Sequence, residues 1–151
     1  MSQSIAEVQN EIVDEFSMLD GNMEMSISYL MELGEQLPPM VEALKSEENI
    51  VKGCQSKVWL HAELEDGRIK FEADSNTAIT KGLVSLLVRI LSGRTPQEVV
   101  DSDLFFMDKV ELNRFIGTQR SNGLGAMMKQ MKIYGLAYSA KAGANGQTLK
   151  K

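Results

Sequence analysis

The amino-acid sequence predicts an α+β fold in which a small antiparallel sheet of about three strands packs with several α-helices. Two helical patterns come first, a hairpin pattern follows, and further helical patterns fill the rest, an order typical of segregated elements rather than of a parallel sheet. The chain has 151 residues, of which 43% are hydrophobic, which suits one core. We therefore expect a single domain over residues 1–140 and a flexible C-terminal tail at 141–151.

The first two predicted helices form a hairpin. Apolar residues recur at spacings of three and four, the period of an amphipathic helix, at Ile5, Val8, Ile12, Phe16 and Leu19. This helix should end near Asp20 and Gly21. A second apolar series runs from Met23 to Gly34, and the two prolines at 38 and 39 forbid its continuation.

A β-hairpin follows the helices. Residues 58–64 have a period of two, in which aliphatic side chains alternate with Trp59, His61 and Glu63. The Asp66-Gly67 pair is a turn signal before a second strand that begins at Arg68. Because an isolated hairpin is marginal in water, we expect a third strand. Residues 47–52 are the stretch that can supply it.

The next pattern predicts a long core helix. Its apolar residues run from Ile79 to Ile90 at helical spacing, and Gly93 marks its end. Asp74 or Ser75 can cap its first turn. The strongly apolar character of this segment indicates the central helix of the domain.

Three shorter signals indicate further helices. A capping residue, a proline and a glutamate stand at Thr95, Pro96 and Glu98, which is the start signal of a short helix. Residues 108–116 carry a second short helical pattern. The last helix is expected to begin near Ser121 and to bring its methionines to the core.

The net charge and the hydropathy of the chain argue against two classes of partner, nucleic acids and membranes. The net charge is −5 and the pI is about 5.0, which repels a phosphate backbone, so nucleic acid is not an expected partner. The acidic N-terminus does not resemble a secretory signal, and the most apolar stretch is far shorter than the ~20 residues of a membrane helix. We expect a cytoplasmic protein with no membrane partner.

Cys54 is the candidate reactive residue. It is the single cysteine, and it lies between Gly53 and Gln55 on a segment that enters the predicted sheet. One alternative is a small buried hydrophobic residue, because cysteine is often buried. The other is a reactive thiol, because glycine exposes the backbone and both Gln55 and Ser56 can hydrogen-bond around it. Lys52 and Lys57 would favour the thiolate.

The cysteine and histidine counts exclude several kinds of site. One cysteine and one histidine cannot form an internal disulfide, a Cys/His zinc site or an iron–sulfur scaffold within one protomer. His61 lies up to about 23 Å from Cys54 along an extended strand, so a Cys–His catalytic pair is not expected. We predict that the chain carries neither a metal nor a cofactor.

The segment around Cys54 resembles a known signature. Residues 52–60 read KGCQSKVWL, which is similar to the GCQS segment and following strand of the SufE family of sulfur-acceptor proteins. The likeness extends to residues 32–38, 74–83, 95–99 and 120–124 and covers about residues 5–140. The related CsdE-type acceptors share the same pattern, so both types stay open.

The resemblance implies a function. A SufS-like, pyridoxal-phosphate-dependent cysteine desulfurase would pass sulfur from L-cysteine to Cys54 as a persulfide, and its turnover would rise. The sulfur would then go to an iron–sulfur scaffold complex, and the pyridoxal phosphate would belong to the desulfurase alone. The resemblance also implies a mobile loop at residues 51–56 that turns the cysteine towards an apolar cavity or outward. It places Asn76, Asp108 and Arg120 around this loop or on the partner surface.

Two other function classes remain compatible with the sequence. One is a regulatory protein that binds a desulfurase and carries no sulfur, and the other is a cysteine-dependent enzyme that acts on a small molecule. For Arg120, a purely structural alternative is an ion pair with a nearby carboxylate such as Asp108.

Overall fold

The computed structural model describes residues 3–149, and it describes the side chains of residues 3–141. Helix α1 spans Ile5–Ser17 and helix α2 spans Met23–Glu35, and together they form the predicted hairpin. Ser4 and Glu7 cap α1 reciprocally, and Asn22 caps α2 by accepting a hydrogen bond from the Met25 N–H group.

The sheet has two strands, β1 at Val58–Glu65 and β2 at Arg68–Ser75, paired antiparallel. The expectation of about three strands is wrong for the described residues. Residues 47–49 form a 3₁₀ turn, so only Ile50 and Val51 run beside β1, where Ile50 makes a single bridge to Trp59. Because the chain turns away at Gly53, where φ is +96°, this segment is too short to form a strand.

Helix α3 spans Ala78–Leu91 and is the central helix that the sequence predicts. It packs against α2 and against β2. The residue at its N-terminal boundary is Thr77 rather than Asp74 or Ser75, because both of those residues lie in β2. α3 and α2 cross closely: a Cβ atom on Gly34 would come within 2.8 Å of the Gly82 nitrogen.

Four helices complete the fold. α4 spans Pro96–Asp101 and has the predicted capping box. The predicted helix at 108–116 is instead two helices, α5 at Phe106–Val110 and α6 at Asn113–Ile116, because Glu111 adopts a left-handed conformation between them. α7 spans Thr118–Leu149.

The bounds of α7 differ from the prediction at both ends. It begins three residues before Ser121, directly after Gly117, where the positive φ of +87° ends α6. It also continues past residue 140 to Leu149, so the segment predicted as a tail is helical there. Its flexibility stays a prediction, and residues 150–151 lie outside the described part of the chain.

The core lies where α3 packs against the sheet and the α1–α2 hairpin. Buried side chains from α1, α2, β1, β2, α3 and α7 form one cluster, which includes Ile12, Leu30, Leu60, Ile69, Leu87 and Met127. This arrangement confirms the α+β class. Within the described residues, no helix has the length and apolar character needed to cross a membrane.

Candidate functional site

Cys54 lies on a short loop at residues 52–57, the cysteine loop, which connects Val51 to the start of β1. The Val51 N–H group donates a hydrogen bond of 2.8 Å to the Val58 carbonyl, and this bond closes the loop at its base. Gly53 has a φ of +96°, a backbone conformation that suits glycine. The loop therefore presents Cys54 from a fixed base.

The end of β2 and the residue after it hold the other side of the loop. The Asn76 side-chain oxygen accepts a hydrogen bond of 3.0 Å from the Lys57 N–H group. The Lys57 carbonyl accepts bonds from the Ser75 hydroxyl at 2.9 Å and from the Asn76 N–H group at 3.2 Å. Asn76 thus lies at the base of the cysteine loop, and its role in function stays a prediction.

Hydroxyl groups tie the middle of the loop to the start of α3. The Ser56 Oγ atom lies 2.9 Å from Thr77 Oγ1, and the Thr80 hydroxyl donates to Ser56 Oγ at 3.3 Å. Among the described contacts, Gly53, Cys54 and Gln55 make no such hydrogen bonds to α3, and the Cys54 thiol is bonded to α7 instead. This part is therefore the segment best able to move.

The thiol of Cys54 faces a small cavity of about 20 Å³ between the cysteine loop, β1, α3 and α7. This volume holds one or two water-sized groups. The walls are mainly apolar, and the lining residues from the helices and strand include Val58, Leu83, Val84, Leu124 and Met127. Gln55, Ser56, Thr80 and Arg120 add polar groups to the lining.

The environment of Cys54 favours the protonated thiol. The S–H group donates a hydrogen bond of 3.4 Å to the Gly123 carbonyl in α7. Burial raises the pKa of the Cys54 thiol. The expectation that Lys52 and Lys57 favour the thiolate is wrong for this conformation, because both residues are exposed and neither lines the cavity.

Arg120 lies in the first turn of α7 at the edge of the cavity. Its Nη1 atom donates a hydrogen bond of 3.1 Å to the Ile116 carbonyl, and within the described part of the chain it forms no ion pair with Asp108, the structural alternative that the sequence left open. Asp108 is exposed on α5, which packs against α1, and it does not line the cavity. The predicted role of Asp108 on a partner surface is not tested by this geometry.

His61 lies on the other face of the sheet. Its Nε2 atom is 3.5 Å from a Glu63 carboxylate oxygen, and its side chain does not line the cavity. Because it is the single histidine of the chain, no imidazole of this chain can take the proton of Cys54 in this conformation. The site therefore offers one nucleophile without a general base beside it.

The sequence reasoning missed most of the cavity wall, and three of the missed residues lie on the last helix. Gly123, Leu124 and Met127 come from α7, which approaches Cys54 from nearly seventy positions away in the chain. The sequence did contain a signal for Leu124 and Met127, because their spacing puts them on the same helix face as Arg120.

Comparison with known proteins decides the family. The model of the SufE family, described as an Fe-S metabolism associated domain, matches residues 10–134. The chain belongs to the SufE family. The resemblance seen in the motifs is thereby confirmed, and the matched region includes the cysteine loop and the described cavity. SufE-family proteins are sulfur-transfer partners of cysteine desulfurases.

Two similar proteins add to the comparison, one at the level of sequence and one at the level of fold. An uncharacterized SufE-like protein of Rhizobium meliloti (strain 1021) is 38% identical over 128 residues, covering 82% of this SufE-family chain and 91% of the relative. The solution structure of a hypothetical protein from Thermus thermophilus matches with a TM-score of 0.71 at 22% identity, covering 86% of this chain and 94% of the other. At that identity the second likeness supports the fold alone.

Proposed function

We propose that this SufE-family protein accepts sulfur as a persulfide on Cys54 from a SufS-like cysteine desulfurase. It then raises the turnover of that desulfurase and passes the sulfur to an iron–sulfur scaffold complex. One observation carries the proposal: the single cysteine faces a cavity of about 20 Å³, which has room for little more than one additional atom of the size of sulfur.

The transfer needs only two sulfur centres. The Cys54 thiolate attacks the outer sulfur of the donor persulfide, the donor S–S bond breaks, and its electron pair stays on the cysteine of the desulfurase. A new S–S bond forms on Cys54, so no electrons are gained or lost overall. This step requires neither a metal nor a histidine on the acceptor, and pyridoxal phosphate acts only in the partner.

The proposed cycle uses two positions of the cysteine loop. In the inward position the thiol is half-buried and its pKa is raised by burial, which keeps it protonated and weakly reactive. An outward movement around Gly53 would bring the thiol into the desulfurase, lower its pKa towards the ordinary value and increase the reactive thiolate fraction.

Polar residues at the edge of the cavity would stabilise the negative charge of a persulfide on Cys54. A persulfide carries negative charge on its outer sulfur when it is ionised, and Arg120 and Thr80 both line the cavity. The Arg120 guanidinium, anchored on the Ile116 carbonyl, keeps further N–H donors that can point at this charge. Gln55 and Ser56 would help to hold the loop around it.

The size of the cavity argues against a small-molecule enzyme. In this conformation the ~20 Å³ beside Cys54 is far smaller than the clefts that hold small-molecule substrates. The regulatory alternative differs from the proposal in one respect, since it requires binding to the desulfurase without a covalent bond to Cys54.

An intact-mass experiment tests the proposal. The protein is incubated with a purified SufS-like desulfurase and L-cysteine, and the mass of the chain should increase by one sulfur atom. Cys54→Ser should gain no sulfur and should not stimulate the desulfurase, although it should keep its thermal midpoint and still bind the partner. Full stimulation by Cys54→Ser would support the regulatory alternative and contradict the proposal.

A further inference from the structure

Gly123 is the residue of α7 that faces Cys54. Its carbonyl accepts the thiol hydrogen bond, and a Cβ atom built on it would lie 3.5 Å from both the Cα and the Sγ atom of Cys54. These are ordinary van der Waals distances. Alanine would therefore fit beside the free thiol without displacing it.

The backbone gives no reason for glycine at this position. Gly123 lies within a helix and is absent from the glycines with positive φ, so an L-residue can adopt its conformation. Glycine in a helix interior is less stable than alanine. Since the free thiol and the helix both tolerate alanine, neither of them explains the missing side chain at Gly123.

Loading with sulfur changes what holds Cys54 inside the cavity. The inner sulfur of a persulfide bonded to its neighbour carries no hydrogen, so the hydrogen bond to the Gly123 carbonyl is lost. The outer sulfur lies about 2 Å beyond Sγ and needs its own volume in the cavity. After loading, the space around Sγ, rather than a hydrogen bond, determines whether Cys54 stays inside.

We propose that Gly123 is a positioning residue that reserves, by its missing side chain, the space for the second sulfur of loaded Cys54. The inference rests on the proposed function of Cys54. A methyl group at this position competes with the outer sulfur and shifts the loaded cysteine outward, where solvent reductants reach it. The unloaded thiol keeps its inward position.

Gly125→Ala is the matched control for Gly123→Ala. Gly125 lies two residues further along the same helix, is exposed, and a Cβ atom built on it would have no atom within 4 Å. Both substitutions therefore give the helix the same gain in propensity. Only the one at Gly123 places a methyl group against Cys54.

The measurement is the lifetime of the persulfide in dithiothreitol. Each protein is first loaded with sodium polysulfide: the Cys54 thiolate attacks a sulfane sulfur, and the shortened polysulfide leaves with the electron pair of the broken bond. After desalting, one dithiothreitol thiolate attacks the outer sulfur and Cys54 leaves as a thiolate. The second thiol then closes the dithiothreitol ring and releases sulfide. Intact mass follows the loss of the sulfur.

We expect Gly123→Ala to lose its sulfur roughly tenfold faster than the wild type, because overpacking a filled cavity shifts such an equilibrium by about one order of magnitude. Gly125→Ala should match the wild type, and all three unloaded thiols should be alkylated at equal rates. Equal persulfide lifetimes in the two variants would overturn the role of Gly123. Failure of the wild type to take sulfur from a desulfurase would instead overturn the proposed function, since polysulfide loading needs no partner.

Discussion

Asn76 offers a direct test of how the base of the cysteine loop controls Cys54. Its side-chain oxygen accepts the hydrogen bond of the Lys57 N–H group at 3.0 Å, and Asn76→Ala removes this acceptor. A neutral hydrogen bond contributes about 1 kcal/mol to stability, which corresponds to roughly a fivefold change in an equilibrium constant. The open population of the loop should therefore rise about fivefold.

Two measurements follow the opening. Hydrogen exchange of the Lys57 amide reports the base of the loop, and the alkylation rate of Cys54 reports exposure of the thiol. Both rates should rise about fivefold in Asn76→Ala. Asn76→Asp keeps an oxygen acceptor at the same position and serves as the control, with both rates close to those of the wild type. Faster exchange at Lys57 with an unchanged alkylation rate would refute the idea that this anchor controls the thiol.

Three further predictions follow from the same structure. Gly82→Ala should lower the free energy of unfolding by about 3 kcal/mol in urea titrations, because its Cβ atom would collide with the Leu30 carbonyl group of α2; a neutral result would show that α2 and α3 are further apart. Since burial raises the pKa of the Cys54 thiol, its alkylation should show a higher pH midpoint in the folded protein than in urea. The contribution of the protonated thiol to folding stability is present below the unfolded pKa and is lost as pH rises through the folded pKa. An alkylation midpoint that is lower in the folded protein than in urea would contradict the inward position of the thiol. Arg120→Lys should fold normally but transfer sulfur more slowly, because lysine lacks the planar set of donors; unchanged transfer at low desulfurase concentration would remove Arg120 from the site.

Local patterns predicted most of the elements. The α1–α2 hairpin, the Asp66–Gly67 turn and the capping box before α4 depend on residues close together in the chain, and the structure has all three. The predicted third strand failed because a strand also needs enough chain length beside its neighbour. The turn at residues 47–49 and the bend at Gly53 leave only two residues for pairing.

The sequence also showed the single cysteine and the family, and it placed Gln55, Ser56 and Arg120 near the thiol, but it wrongly expected two lysines to act on it. Lys52 and Lys57 are near Cys54 in the chain, whereas α3 and α7 are near it in space. Spacing along a chain does not show which side of a loop is buried. For this reason the sequence predicted that lysines lower the pKa of the Cys54 thiol, whereas in the structure burial raises that pKa.

The amino-acid sequence by itself determined the class of fold, the single cysteine and membership of the SufE family. The tertiary structure alone decided the volume beside Cys54, the hydrogen bond of the thiol to the Gly123 carbonyl and the hydrogen bond by which Asn76 holds the Lys57 N–H group. The physical reason is that periodicity and capping report interactions over a few residues. The cavity depends on close packing of segments separated by tens of residues, and such packing exists only when the core has formed.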